Sequence, residues 1–138
     1  MNNNNDDIRS ILVVEDDERV LDLAVNIFDY AGYNVLAAND AAAGIDCFRQ
    51  HPEIDLIFCD LILPGGVSGM EMATAIMKEK PDALFLMVSG YSDKGQILRQ
   101  MIEDMDNIEF IAKPYDVNEV TTKVRAMISQ HSPATGVA

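Results

Sequence analysis

Basic residues are scarce in this sequence. Ten Lys and Arg stand against 23 Asp and Glu, which leaves a net charge of −13 at pH 7 over 138 residues. A chain of that sign repels phosphate-rich surfaces, which argues against direct contact with nucleic acid or anionic membrane and favours cations or a basic partner surface. Cysteine is limited to Cys47 and Cys59. The pair lacks metal-ligand spacing, falls on a predicted helix and a predicted strand, and reads as reduced core residues rather than a disulfide. No apolar run approaches the roughly 20 residues that cross a bilayer. Residues 1–7 are polar and acidic where a secretory leader would be apolar. A soluble, cytoplasmic protein is the expectation. Internal repeats are absent, and no helix-turn-helix pattern follows the last predicted helix.

Hydrophobic residues make up 49% of the chain, enough for the core of one domain. We expect a disordered tail over residues 1–9, a folded domain over 10–131 and a flexible tail over 132–138. Within the domain, the stretch Leu56-Ile57-Phe58-Cys59-Asp60 stands out. Its apolar run does not alternate, as expected of a strand covered on both faces, and it ends on an acid before Pro64-Gly65-Gly66 breaks the chain. Residues 11–14 and 83–88 are two further runs of this kind, and shorter strands are expected at 34–38 and 108–112. Helical periodicity fills the gaps. One helix spans residues 18–31, with Val20, Ala24, Ile27, Phe28 and Ala31 on one face and Gly32 as its stop. Others are expected after Asp40 to Gln50, over 69–80 (Met70, Ala73, Ile76 and Met77 on or near its buried face), over 96–105, and after Asp116 (Val117, Val120, Val124, Met127 and Ile128 inward). Five strands alternating with five helices predict a doubly wound α/β domain, with a parallel sheet and helices on both faces.

In an open parallel sheet, ligands bind at the carboxyl ends of the strands. There the sequence places Glu15, Asp16 and Asp17 after the first strand, Asp60 on the third, Ser89 on the fourth and Lys113 on the fifth. Carboxylates gathered at one edge raise one another's pKa unless a cation sits among them, and an all-oxygen set suits Mg²⁺. With Lys113 as fixed positive charge and Ser89 as a small donor, the edge fits phosphoryl transfer, and Asp60 is the natural nucleophile. Plainer roles compete for each residue: Asp17 as a helix N-cap, Ser89 before Gly90 as a turn residue, Asp60 as a cap or turn acid. His51 and His131 lie beside predicted helix ends and receive no chemistry.

The motifs Val13-Val14-Glu15-Asp16-Asp17, Cys59-Asp60-Leu61-Ile62-Leu63-Pro64, Val88-Ser89-Gly90 and Ala112-Lys113-Pro114, in this order, resemble the receiver domain of two-component response regulators. The resemblance covers about residues 10–130. It implies a flavodoxin-like (βα)5 three-layer sandwich with strand order 2-1-3-4-5. It makes Asp60 the phosphoacceptor, charged by a sensor histidine kinase or histidine phosphotransfer protein, with no enzymatic activity beyond the domain's own phosphorylation and dephosphorylation. By the same resemblance Asp16 ligates Mg²⁺ directly and Glu15 acts mostly through water. The backbone carbonyl of Ile62 is the third protein ligand, Ser89 and Lys113 contact the phosphoryl group, and Phe110 is the aromatic switch partner of Ser89. The face made by the helix over 96–105, the last strand and the last helix would carry the signal.

The loop from Pro64 to Gly69 is one residue longer than in most receivers and carries Gly65-Gly66. That variant resembles receivers attached to hybrid sensor kinases. Ile62 and Tyr91 are expected to limit water access to the phosphoryl group. Two other readings remain at this stage: a degenerate receiver that binds partners without phosphorylation, and a flavodoxin-like electron carrier or small phosphatase. The acidic loop after the first strand argues against flavin, whose phosphate prefers a Gly/Ser/Thr-rich cradle.

Overall fold

Continuous apolar runs need cover on both faces, and the three such runs in this chain become the three central strands. The computed structural model describes residues 8–63, 68–90, 100 and 105–131. In it β1 (Ser10–Val14), β3 (Leu56–Asp60) and β4 (Leu84–Ser89) are buried along almost their whole length. β2 (Asn34–Ala38) and β5 (Ile108–Ala112) are mixed in burial and form the two edges. All pairings are parallel, in the order β2-β1-β3-β4-β5. The carboxyl ends of all five strands therefore share one edge of the sheet.

The described helices are α1 (Glu18–Tyr30), α2 (Ala41–Gln50), α3 (Gly69–Glu79) and α4 (Val117–Gln130). Each starts on a side chain that answers otherwise orphaned amides. Asp17 accepts from the Arg19 and Val20 N–H groups, Asp40 from Ala43, and Asp116 from Glu119. Ser68 and Glu71 form a reciprocal capping box. Such caps contribute about 1 kcal/mol each. Gly32, with φ 101°, turns the chain out of α1 in a conformation that L side chains avoid.

Two apolar layers flank the sheet. Leu12, Val14, Ile57, Cys59, Phe85 and Met87 pack on one side with Phe48 of α2 and Met72, Ala73 and Ile76 of α3. Ile11, Val13, Leu56, Phe58, Leu86 and Val88 pack on the other with Phe28 of α1 and Val120, Val124 and Met127 of α4. Each strand feeds both layers because successive side chains point to opposite faces. The fold is the doubly wound one expected from the sequence.

Three details differ from expectation. On α3 the buried face is Gly69, Met72, Ala73 and Ile76; Met70 and Met77 are only half-buried. Met70 and Met77 thus lie beside that face and pack against the core as expected; the residue that the spacing did not single out is Met72. Ala31 lies beyond α1 as its C-cap and is exposed. Val117 begins the buried stripe of α4 by spacing but is 52% exposed, because it faces an open cleft against α1 rather than the core. The helix expected over 96–105 falls almost wholly outside the described residues, as do the 64–67 loop, Tyr91 and the two terminal tails. Among the described residues no helix is long and apolar enough to cross a membrane.

Candidate functional site

The strand ends deliver the expected polar groups to one edge, and hydrogen bonds fix several of them. Asp60 closes β3 with a side chain only 15% exposed. Lys113, which follows β5, donates from Nζ to Asp60 Oδ2 at 2.8 Å across 53 residues of sequence. The Ile62 N–H donates to Asp60 Oδ1 at 3.1 Å. The carboxylate is thereby held on both oxygens, by an ammonium and an amide. Lys113 is itself placed by its backbone N–H, which donates to the Ser89 carbonyl at 3.0 Å.

Glu15 follows β1 and is buried. Its backbone N–H donates to Ala38 O at 3.1 Å, and its Oε2 accepts from the Asp17 N–H at 3.0 Å. Burial pushes the Glu15 carboxyl above its ordinary range, and the Asp60 charge and neighbouring Asp16 push the same way; the Asp17 amide and Lys113 oppose them. Lys113 is raised in turn, first by its hydrogen bond to Asp60 and then by the charges of Asp60 and Glu15. Glu15, Asp60 and Lys113 therefore form one electrostatic cluster in which negative charge exceeds positive.

Behind the nucleophile candidate, Gly69 comes hard against the end of β3. A Cβ there would run into the Asp60 carbonyl oxygen, and the Gly69 N–H donates to Leu61 O at 3.0 Å. Only glycine permits this approach, which locks the start of α3 to the strand that carries Asp60.

Ser89, the last residue of β4, is 3% exposed, and its hydroxyl makes no hydrogen bond to a described residue. A buried hydroxyl in that state costs stability unless something else satisfies it. Phe110 is half-buried and packs with the α2/α3 layer, one strand removed from the acidic cluster. Asp16 is exposed beside Glu15, and Ile62 is 37% exposed next to Asp60.

Sequence reasoning missed Tyr115. Its ring stands edge-on to Phe58, centroids 5.8 Å apart at 89°. Burial first, then the charges of Glu15 and Asp60, raise its phenol. The only signal in the sequence was an aromatic residue directly after Lys113-Pro114. The cysteines behave as expected. Both are free, and Cys59 Sγ lies 3.3 Å from Met87 Sδ inside the core, where burial pushes the thiol far up.

No group of three or more His, Cys, Asp or Glu side chains among the described residues is arranged to hold a metal ion. Mg²⁺ asks for less than such a cage. It retains several waters and takes one or two carboxylates, so an all-oxygen edge with uncompensated negative charge fits it.

The fold and this edge define a class: a doubly wound parallel domain with an acidic, lysine-bridged crevice where its strands end. Residues 11–125 match the family model of the response regulator receiver domain, and the chain belongs to that family. It is 28% identical over 122 residues to the transcriptional regulatory protein YvrH of Bacillus subtilis, covering 88% of this chain and 49% of that protein. It is 26% identical over 125 residues to the sensor kinase CckA of Brucella abortus, covering 88% of this chain and 13% of the kinase. The chain thus spans half or less of these relatives. A receiver domain protein from Clostridium thermocellum shares the fold with a TM-score of 0.79 at 23% identity, over 89% of this chain and 96% of that one. The chain is a receiver domain of two-component signalling. That removes the electron-carrier reading, and the presence of every expected polar residue disfavours the degenerate one.

Proposed function

We propose that Asp60 accepts a phosphoryl group from a phosphohistidine on a cytoplasmic sensor histidine kinase or histidine phosphotransfer protein. The observation that carries this reading is the 2.8 Å bond from Lys113 Nζ to Asp60 Oδ2, set against acids that leave the edge negative. An Asp60 oxygen attacks phosphorus, the P–O bond forms, and the P–N bond to the donor imidazole breaks with its electron pair returning to nitrogen. The leaving imidazole needs no base from the receiver, so this chain's contribution is positioning and charge.

Each neighbour then has a task. The Ile62 amide orients one carboxylate oxygen. Lys113 follows the negative charge from the carboxylate to the phosphoryl oxygens, and the Ser89 hydroxyl donates to one of those oxygens. The residues that would hold Mg²⁺ are Asp16, Asp60 and the Ile62 main-chain carbonyl, with Glu15 acting through water. The ion supplies charge neutralisation at the phosphoryl group. Movement of Ser89 towards the phosphoryl group frees space for Phe110 to turn inward, so phosphorylation biases a two-state equilibrium.

Acetyl phosphate with Mg²⁺ tests the assignment. Intact mass should show one added phosphoryl group on the chain and none on Asp60→Asn. Undiminished labelling of that variant would sink the reading.

A further inference from the structure

Beside the acidic edge, on the α1/α4 side of the sheet, lies a cleft of about 730 Å³. It runs between α1 and the segment from Lys113 to Val117 and reaches down to Phe58 of β3. Its walls are almost wholly apolar, among them Val20, Leu23, Ala24 and Ile27 of α1. Two of its apolar rim residues stand open to solvent: Leu23 is 58% exposed and Val117 52%. Its size and lining are those of a small-molecule site rather than of a packing defect.

We propose that this cleft binds a neutral, largely apolar ligand about the size of two or three fused or linked rings. Charge argues against an anion. The charged groups on the rim are Glu15, Asp60 and Asp116 against Lys113 alone. Among the described residues the one cation lining the cleft is Lys113, which is already paired with Asp60, and three carboxylates repel an anion. A charge carried further in would lose its water against aliphatic walls. The aromatic edges of Phe58 and Tyr115, set nearly perpendicular, suit ring contacts. The rim carboxylates can still accept from a single N–H or O–H donor on the ligand. The inference does not depend on Asp60 being a phosphoacceptor, so either can fail alone.

The test is a fluorescence titration with two probes that differ in one group. N-phenyl-1-naphthylamine is neutral, and 8-anilino-1-naphthalenesulfonate carries the same rings plus an anionic sulfonate. The neutral probe should bind saturably at one site, about tenfold or more tighter than the sulfonate. Ala24→Leu fills the floor of the cleft and Val117→Phe fills its mouth. Each should weaken the neutral probe by about tenfold. Val117 is exposed enough that its replacement leaves the fold intact even if Ala24→Leu does not. Absence of saturable binding by the neutral probe, equal or tighter binding of the sulfonate, or affinity untouched by Val117→Phe would each overturn the proposal.

Discussion

The two edges of the sheet are made of similar residue types and behave oppositely. At the amino ends of the strands, polar groups answer one another. Asp55 accepts from the Ser10 N–H at 2.8 Å and pairs with Arg9 at 3.7 Å. The Asn34 amide donates to Ser10 Oγ at 3.2 Å, and Asn107 donates to the Ala83 carbonyl at 2.8 Å. At the carboxyl ends, Glu15 is buried against the charge of Asp60, Lys113 is the one cation bound there among the described residues, and Ser89 has no described partner for its hydroxyl. One edge is satisfied and closes the domain. The other holds unmet electrostatic demand, which an incoming phosphoryl group and divalent cation would meet. Residue type alone does not separate structure from function here; the degree of compensation does.

Substitutions can break that contrast. The largest effect is expected from Lys113→Ala, which strips the acidic edge of its cation. Phosphorylation of Asp60 by acetyl phosphate should slow about a hundredfold in stopped-flow or mass measurements, in line with loss of one preorganised donor. Next comes Asn107→Ala at the opposite edge. It should cost about 2 kcal/mol in denaturant unfolding by orphaning the Ala83 carbonyl, while leaving the labelling rate unchanged. A loss of labelling in that folded variant would erase the distinction between the edges.

Glu15→Gln should act with the reverse sign on stability. The folded chain holds the Glu15 carboxyl above its ordinary value of 4.5, so folding favours its protonated form. That contribution is complete below about pH 4.5 and is lost as pH rises through the folded value. At pH 7 without Mg²⁺ the variant should therefore be about 1 kcal/mol more stable than the parent, and the gain should vanish on acidification to below pH 4.5. A gain that persists there would mean that charge is not its cause. The smallest effect is expected of Ile62→Ala, which opens the surroundings of Asp60 to water. The phosphoryl half-life should shorten about threefold, and an unchanged half-life would remove the shielding role.

The convergence of these residues at one edge was readable from the sequence because parallel strands place their carboxyl ends together whatever lies between them. Glu15, Asp60, Ser89 and Lys113 each end or follow an apolar run, so their convergence needed only the strand assignment. The caps Asp17, Asp40 and Asp116 were readable for the same local reason. What escaped depends on tertiary geometry. Met72 is buried and Met70 is not because of how α3 is rotated, and the spacing of apolar residues allowed both. Val117 sits on the right stripe of α4 but opposite a cleft, which no periodicity reveals. Tyr115 gains its place beside the acids only through its contact with Phe58, 57 residues earlier in sequence. The structural polar edge around Asn107 escaped too, since its partners, the Pro81 and Ala83 carbonyls and the Met77 thioether, carry no sequence signature.

The most direct test of the central claim is to find the atom that takes the phosphoryl group. Borohydride reduces an acyl phosphate on an aspartate to homoserine. Peptide mapping of the chain after treatment with acetyl phosphate and Mg²⁺, then borohydride, should find homoserine at position 60 and nowhere else. Conversion at Glu15, Asp16 or another acid, with position 60 intact, would contradict it.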